Sequence, residues 1–259
     1  MLISCGGYDG RSLLKTCDML RVASSTSSDT WSPLPQLRLP SGLAGHSLTT
    51  TSANGLLALV GGYEGGTRTD KTYYTNTDLT MWSPGPTLTR GRSSHCAVAV
   101  ARDSDAVIVT GGWHDSDTTL DSVELLDFSS NTVQSLSPMT GARAGHGCAT
   151  ISTHNDDQLV VVAGGYCRGC GGYLSSCEMM SLSTGRWTPL PSLPTGRGYT
   201  TLVPVSQDTV RLIGGKSCFD CFESEILDLT IVGATDGWTP VNGVTVSRYS
   251  HTAVEIPSC

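Results

Sequence analysis

The stretch that decides the fold is Ala106-Val107-Ile108-Val109-Thr110-Gly111-Gly112, a short apolar, β-branched run that ends in a pair of glycines. Gly-Gly pairs after such runs recur along the chain, starting at positions 6, 61, 111, 164 and 214, with spacings of 55, 50, 53 and 50 residues. An apolar run of this length predicts a strand that is buried on both faces. Self-similarity near 50 residues predicts one supersecondary unit that is stacked several times.

Each repeat continues in the same order. A polar loop follows Gly-Gly and leads to a second short strand that carries an acidic residue, in turn Asp18, Asp78, Glu124, Glu178 and Glu225. A tryptophan follows in four of the five repeats, at Trp31, Trp82, Trp187 and Trp238, and Val133 stands there in the third. A Pro-rich turn then leads to an Arg-x-x-His element that opens a further strand. Four short strands per repeat, with no sustained helical period, predict one propeller blade per repeat.

These motifs resemble the kelch repeat. The resemblance rests on the Gly-Gly pair, the acidic strand, the spaced tryptophan and the Arg-x-x-His opening. It is closest in form at Gly6-Gly7-Tyr8-Asp9-Gly10 and Gly61-Gly62-Tyr63-Glu64-Gly65. It covers essentially the whole chain, because the motifs recur in register five times. The resemblance implies an all-β fold, a kelch-type β-propeller.

The two ends predict how the ring closes. The chain starts inside a second strand, and residues 247–256 form a first strand with no blade after it. We therefore expect residues 247–256 to pair with residues 1–5 and to close a five-bladed ring, which removes both open edges. The blades would be residues 247–256 plus 1–40, then 41–89, 90–140, 141–195 and 196–246. Kelch propellers more often have six blades, so a chain that has lost a blade is the alternative.

Composition excludes several classes of function. The net charge is −7, and a surface without excess positive charge does not favour nucleic acid. No apolar run approaches the roughly 20 residues needed to span a bilayer, and the first residues do not form a signal peptide. We expect a monomer in the cytoplasm. Secretion with disulfides is the alternative, because ten cysteines are many for a reducing compartment.

Catalysis and cofactors are not indicated. The repeated histidines (His46, His95, His146 and His251) occupy one position per blade. Ligands of one metal must converge, so this spacing favours a structural role over a metal ring. The acidic residues have the same once-per-blade spacing, and no catalytic triad or carboxylate pair is visible. We expect no enzyme and no cofactor. The alternative is a carbohydrate-active or oxidase-type enzyme, because some propellers of similar sequence are copper oxidases or sialic-acid epimerases.

The resemblance also implies a binding face. In kelch propellers the loop after Gly-Gly and the turn into the next blade lie on one face, which often binds a partner protein. The candidate contact residues here are Tyr8, Tyr63, Trp113, Tyr166, Lys216, Arg92, Arg143, Arg197, Arg248 and Ser41. Tyrosine, tryptophan and arginine dominate binding hot spots, and arginines would favour an acidic peptide. Alternatively, the arginines brace neighbouring blades. By resemblance, such modules present substrates to a ubiquitin ligase or bind the cytoskeleton.

Nine of the ten cysteines fall into two groups, and Cys259 is the last residue of the sequence. Cys5, Cys17, Cys96 and Cys148 lie on predicted strands, where we expect small buried apolar side chains. The other group follows the last two Gly-Gly pairs as Cys167-x-x-Cys170 with Cys177, and as Cys218-x-x-Cys221. Cys167, Cys170, Cys218 and Cys221 could form a zinc site if the two loops meet. Disulfides within a loop, such as Cys167 to Cys177, and free thiols are the alternatives.

Overall fold

A computed structural model describes residues 2–21, 30–75, 77–100, 104–153, 157–231, 237–241, 247 and 249–250. Within these residues the regular structure is β, apart from one 3₁₀ turn at Asp115–Asp117. The strands form five blades, so the predicted all-β propeller with five blades is confirmed. The described residues include no helix that is long and apolar enough to cross a membrane.

The strands of each blade follow chain order. Blade 1 contains β1 (Leu2–Cys5), β2 (Cys17–Arg21) and β3 (Thr30–Pro33). Blade 2 contains β4 (Ser47–Thr50), β5 (Leu57–Val60), β6 (Tyr63–Glu64), β7 (Thr67–Arg68), β8 (Thr72–Thr75) and β9 (Ser83–Pro84). Blade 3 contains β10 (Cys96–Ala99), β11 (Ala106–Thr110), β12 (Trp113–His114), β13 (Thr118–Thr119), β14 (Val123–Asp127) and β15 (Thr132–Leu136). Blade 4 contains β16 (Gly147–Ser152), β17 (Gln158–Ala163), β18 (Tyr166–Cys167), β19 (Gly172–Tyr173), β20 (Cys177–Ser181) and β21 (Arg186–Leu190). Blade 5 contains β22 (Thr201–Pro204), β23 (Thr209–Ile213), β24 (Ile226–Thr230) and β25 (Thr239–Val241).

Every blade is an antiparallel sheet, and in blades 2 to 4 the strand before Gly-Gly is the most buried. All five residues of β11 are buried, as its apolar sequence predicts. In blades 2 to 4 the short pairs β6–β7, β12–β13 and β18–β19 form a small hairpin in the loop after Gly-Gly. This hairpin places the loop above one end of the sheet.

The third strand of blade 2 differs from the sequence prediction. The acidic residue expected there, Asp78, lies in the turn after β8. Tyr73 occupies the corresponding position, because Tyr73 lies opposite Leu59 as Glu124 lies opposite Val109 in blade 3. The sequence prediction placed the third strand by its acidic residue. The pairing register of that strand is set instead by the apolar second strand.

The core lies between blades. One buried apolar cluster joins each of the neighbouring pairs from blades 1 and 2 through blades 4 and 5. For example, Ile108 of blade 3 packs in the same cluster as Met180 of blade 4. Among the residues that the structure describes, no such cluster joins blades 5 and 1, and Trp31 of blade 1 is 54% exposed.

A ring of backbone hydrogen bonds surrounds the propeller axis. The participating residues occupy one position per repeat, have positive φ values, and are Gly45, Ser94, Gly145, Tyr199 and Ser250. From Ser94 onward, each of them donates its N–H to the carbonyl of the one before, over distances of 2.7, 2.7, 2.5 and 3.0 Å. They line a central channel of about 890 Å³.

Ser250 belongs to the predicted closing strand, and it joins this hydrogen-bonded ring through its contact with Tyr199. Apart from residues 247, 249 and 250, residues 247–256 lie outside the described chain, and so does their pairing with residues 1–5. Closure by the C-terminal strand therefore stays a prediction.

Candidate partner-binding face

The Gly-Gly turn is fixed by its backbone conformation and by its neighbours. Gly112 has a φ of 104°, and a Cβ added there would lie 2.8 Å from the Cβ of His95. Only glycine fits a left-handed conformation with so close a neighbour. The same close approach recurs between Gly62 and His46 and between Gly165 and His146. The Gly-Gly pair and the histidine therefore form one structural unit.

The histidines of this unit are buried and neutral. His95 and His146 place Nε2 at 2.8 Å from Oγ of Ser47 and at 2.7 Å from Oγ1 of Thr110, which belong to the preceding blades. Burial, together with the charge of Arg92, lowers the pKa of His95 to about 3. Burial also lowers the pKa of His146 well below its ordinary value. These hydroxyl partners hold adjacent blades together. His251 lies outside the described residues.

The residue after Gly-Gly is brought to the turn that enters the same blade. Tyr63, Trp113, Tyr166 and Lys216 form two-way backbone bridges with Ala44, Ser93, Ala144 and Gly198, respectively. The N–H of Tyr63, for example, donates to the carbonyl of Ala44 over 2.7 Å. The loop and the turn therefore share one face of the propeller, which we call the loop face.

The predicted aromatic residues differ in exposure on the loop face. Tyr8 is 62% exposed and Tyr63 is 39% exposed. Trp113 and Tyr166 are half-buried against each other, with ring centres 5.7 Å apart. Tyr173, which the sequence did not indicate, packs edge-on against Tyr166 at 5.1 Å. Blades 1 and 2 thus present open aromatic rings, and blades 3 and 4 present a packed aromatic cluster.

The predicted arginines lie inside the wall. The side chains of Arg92, Arg143 and Arg197 are at most 1% exposed. Arg143 Nη1 donates to the carbonyls of Gly164 and Ser176 over 2.8 and 2.9 Å, and Nη2 donates to Oε1 of Glu178 over 2.8 Å. These contacts fit the bracing alternative. The predicted set of partner-binding residues is therefore reduced to the exposed residues of the loop face. Their role in binding stays a prediction.

The same contacts recur in blade 3. In blade 5 the acidic partner lies just before β24, and Leu227 takes the strand position that corresponds to Glu124. Arg92 pairs with the buried Glu124 and also bonds the carbonyl of Gly111 over 2.9 Å. Arg197 pairs with Glu225 over 2.9 Å, but the side chain of Glu225 is 54% exposed. The acidic residue that the sequence pattern singled out is thus the partner of the arginine. Arg248 lies outside the described residues.

A comparison with known protein families agrees with this architecture. The model for the KLHDC2/KLHL20/DRC7 Kelch-repeats domain matches residues 1–215. The chain belongs to this family. No curated protein matches the chain. Kelch propellers of this kind are typically protein–protein interaction domains without enzymatic activity.

Blade 2 of this kelch propeller replaces the ion pair. Leu43, which stands at the arginine position, is 1% exposed and packs in the same apolar cluster as Tyr73. Ser41, the other predicted contact of this turn, is half-buried. A hydrogen bond from Ser41 lowers the pKa of Glu64. Ser41 thereby supports the loop that carries Tyr63.

Ion pairs join the loops of three blades on the loop face. Asp117 of blade 3 accepts hydrogen bonds from Arg68 of blade 2 over 2.8 Å and from Arg168 of blade 4 over 2.5 Å. The hydrogen bond from Arg68 is the largest cause that lowers the pKa of Asp117. Exposed pairs add little stability, so their main effect is to order the loops.

The cysteines correct two sequence expectations. Cys5–Cys17 and Cys96–Cys148 are disulfides and not free apolar side chains. Cys167–Cys170 and Cys218–Cys221 are disulfides within their own loops, so Cys167 does not pair with Cys177. Cys177 is a buried free thiol, and burial raises its pKa to about 11.

The predicted zinc site is not assembled in the structure. Cys167, Cys170, Cys218 and Cys221 are consumed by the two loop disulfides, which keep each pair within its own loop. Within the described ranges, no three His, Cys, Asp or Glu side chains are grouped as metal ligands would be. The sequence spacing showed which cysteines were near each other but not whether the two loops meet.

One group on the loop face was missed by sequence reasoning. Lys216 lies against the rings of Phe219, Phe222 and Tyr249. Two signals could have found it. Lys216 breaks the aromatic pattern of the position after Gly-Gly, and two of the three phenylalanines of the chain lie in this one polar loop.

Proposed function

We propose that this kelch propeller binds a partner protein through the loop face, with Tyr8, Tyr63, Trp113, Tyr166 and Lys216 among the contact residues. The observation that supports this most directly is the exposure of Tyr8 and Tyr63, at 62% and 39%, on a face built from hydrogen-bonded loops. Large exposed aromatic side chains are costly for solubility and are typical of binding hot spots.

Rigid loops support the same proposal. The loop of blade 3 is tied to its neighbours through Asp117, and the residue after Gly-Gly in blades 2 to 5 is held by two backbone hydrogen bonds. A surface that is ordered before binding loses less conformational entropy when a partner docks. The face therefore has the two properties that a recognition surface needs, which are apolar anchors and preorganisation.

The test compares variants of opposite ends of the propeller. Tyr8→Ala combined with Tyr63→Ala removes the open anchors on the loop face. Met81→Ala is the matched control, because Met81 is 67% exposed and lies in the turn before β9, at the other end of its blade. We expect the loop-face variant to weaken capture of partners by about 30-fold or more, since one hot spot contributes about 2 kcal/mol. Equal capture by both variants would refute the proposal.

The setting of the interaction has two candidates, a ubiquitin ligase and the cytoskeleton. Co-sedimentation with purified actin filaments tests the second, and capture of a cullin or RING subunit tests the first. In both assays the Tyr8→Ala, Tyr63→Ala variant separates loop-face binding from adsorption. Retention of binding by this variant would place the contact elsewhere.

A further inference from the structure

The loop after Gly-Gly in blade 5 has a different chemistry from the other four. Lys216 stands where blades 1 to 4 have tyrosine or tryptophan. Its Nζ lies 4.8 Å from the ring centre of Phe219, 5.4 Å from that of Phe222 and 5.5 Å from that of Tyr249. We call these four residues the aromatic clamp. Three rings within 6 Å of an ammonium group are a cation–π arrangement.

The rings of the aromatic clamp are open to solvent. Phe219 is 82% exposed, Phe222 is 41% exposed and Tyr249 is 48% exposed. Phe222 and Tyr249 stack with ring centres 4.9 Å apart. Attraction to Lys216 holds the rings together but leaves much of their apolar surface uncovered. An exposed apolar patch of this kind on a binding face marks an interaction site.

The loop that carries the clamp is locally rigid. The Cys218–Cys221 disulfide closes it, and the N–H of Ser217 donates to the carbonyl of Cys221 over 3.0 Å. Lys216 bridges Phe222 on one side and Gly198 on the other. The clamp is therefore formed before any partner binds.

The clamp also adjoins the mouth of the central channel. Gly198, which bridges Lys216, precedes Tyr199, and Tyr249 precedes Ser250. Both Tyr199 and Ser250 line the channel. A segment bound at the clamp would lie on the rim of the channel, between blade 5 and blade 1.

The charge of the clamp indicates its partner. Within the described residues Lys216 has no ion pair, although Arg68 and Arg168 of neighbouring loops share Asp117, and Lys71 lies 3.5 Å from Glu64. Glu223 of the same loop accepts a hydrogen bond from the hydroxyl of Ser217 instead. The ammonium group of Lys216 keeps its hydrogen-bond donors available, and its charge already fills the place that a cation from a partner would take.

We propose that the aromatic clamp is the docking site for a peptide segment in which an aspartate or glutamate side chain lies next to a large apolar residue. The carboxylate accepts a hydrogen bond from Lys216, and the apolar side chain covers Phe219 and Tyr249. This inference rests on the proposed partner-binding function and assigns it to a particular part of the loop face. It places recognition at blade 5 and not at the buried arginines.

The experiment is selection of random 12-residue peptides, displayed on phage, by the native protein and by Lys216→Met. Methionine keeps the length of the side chain and removes its charge. We expect the native protein to enrich peptides with an acidic residue beside a phenylalanine, leucine or tryptophan. A labelled selected peptide should bind Lys216→Met and Phe219→Ala about tenfold more weakly or worse, because a charge-assisted hydrogen bond or an apolar anchor is lost. Replacing the glutamate of the peptide by glutamine should cause a similar loss.

A reversed charge gives an independent arm. Lys216→Glu should enrich basic peptides in place of acidic ones, provided that its thermal unfolding matches that of the native protein. Each variant changes an exposed or half-buried side chain, so unfolding temperatures should stay unchanged. Selected peptides that bind Lys216→Met with unchanged affinity would overturn the clamp proposal.

The peptide experiments distinguish failure of the clamp proposal from failure of the proposed loop-face function. Peptides that lose affinity with Tyr8→Ala, Tyr63→Ala but not with Lys216→Met would keep the loop face as the binding surface and remove the clamp from it. A consensus without acidic residues would overturn the clamp alone. No enrichment over a blank support with any form of the protein would count against both.

Discussion

The junction between blades 3 and 4 and the junction between blades 5 and 1 use the same repeat motif but differ in packing. Between blades 3 and 4, an apolar cluster is accompanied by the Cys96–Cys148 disulfide, and the indole N–H of Trp187 donates to the carbonyl of Ser137 over 2.9 Å. At the other junction, the corresponding Trp31 is 54% exposed, whereas Trp238 of blade 5, packed on blade 4, is 7% exposed.

This difference shows that a repeat motif alone does not determine how much it contributes to the stability of the fold. The tryptophan is present in blades 1, 2, 4 and 5, yet its burial depends on whether a neighbouring blade covers it. In a stacked repeat protein, stability is a sum of terms from units and from their interfaces. We therefore expect blades 3 and 4 to be the most stable part of the ring and blade 1 to unfold first.

The largest expected effect concerns the buried ion pair of blade 4. Arg143→Met should lower the free energy of unfolding by about 3–5 kcal/mol, because Glu178 is left buried without a compensating charge. The double variant Arg143→Leu, Glu178→Tyr copies Leu43 and Tyr73 of blade 2, and should recover most of the loss. Urea unfolding at pH 7 measures both values.

Arg168→Met is the control for that series. Arg168 forms an ion pair with its side chain 65% exposed, so its loss should change stability by about 0–1 kcal/mol. A double variant no more stable than Arg143→Met would show that the apolar pair of blade 2 is not a substitute for the charged pair.

The tryptophans test the comparison of the junctions directly. Trp238→Ala should cost about 3–5 kcal/mol, as is usual for removal of a buried tryptophan. Trp31→Ala should change stability by about 0.5 kcal/mol or less, because the side chain is more than half exposed. The measurement is thermal unfolding followed by near-UV circular dichroism. Equal losses would mean that Trp31 is covered in solution, as ring closure by residues 247–256 would require.

The disulfides sharpen the comparison further. Cys96→Ser with Cys148→Ser should destabilise the protein by about 2–4 kcal/mol, because this bond closes 52 residues and joins two blades. Cys218→Ser with Cys221→Ser should cost less stability, since that bond closes only three residues and the entropic cost of closing a loop is smaller for a shorter loop. Unfolding with and without a dithiol reductant provides the same comparison without mutation. If both double variants lose the same stability, the disulfide between blades has no special role.

The last prediction concerns the dependence of stability on pH. The pKa of His95 is about 3 in the folded protein and about 6.5 when unfolded, so the unfolded chain binds more protons between these values. Stability from the neutral ring is present above pH 6.5 and is lost as pH falls toward 3, by up to about 1.4 kcal/mol per pH unit. The His95→Gln variant should have a shallower slope from pH 6.5 to 4.5. An unchanged slope would mean that other groups dominate acid unfolding.

Sequence alone predicted the architecture because the architecture is periodic. Gly111, Gly112 and the strand before them recur at fixed positions, and each recurrence tests the one before. The same periodicity could not say which of two roles an arginine has, because a brace and a binding residue both repeat once per blade. The burial of Arg92 and Arg143 favours the brace, and burial depends on neighbouring blades that are distant in sequence.

The features that sequence missed are those that do not repeat. The Cys96–Cys148 bond joins strands of different blades at non-equivalent positions, so no spacing rule indicates it. The same holds for the clamp at Lys216, which brings together a loop of blade 5 and Tyr249 from the segment after it. Residence in the cytoplasm, as its sequence led us to expect, stays a prediction. Thiol titration of unreduced protein tests whether these disulfides are present in solution.

The apolar substitute in blade 2 has a consequence for how such a chain can evolve. An ancestral blade with the ion pair can reach Leu43 and Tyr73 only through an intermediate that holds one buried charge alone. Such an intermediate would lose about 3–5 kcal/mol, a large part of the stability of an ordinary domain. The exchange is therefore rarely accessible by single steps. Two substitutions made together avoid the intermediate with one unpaired buried charge.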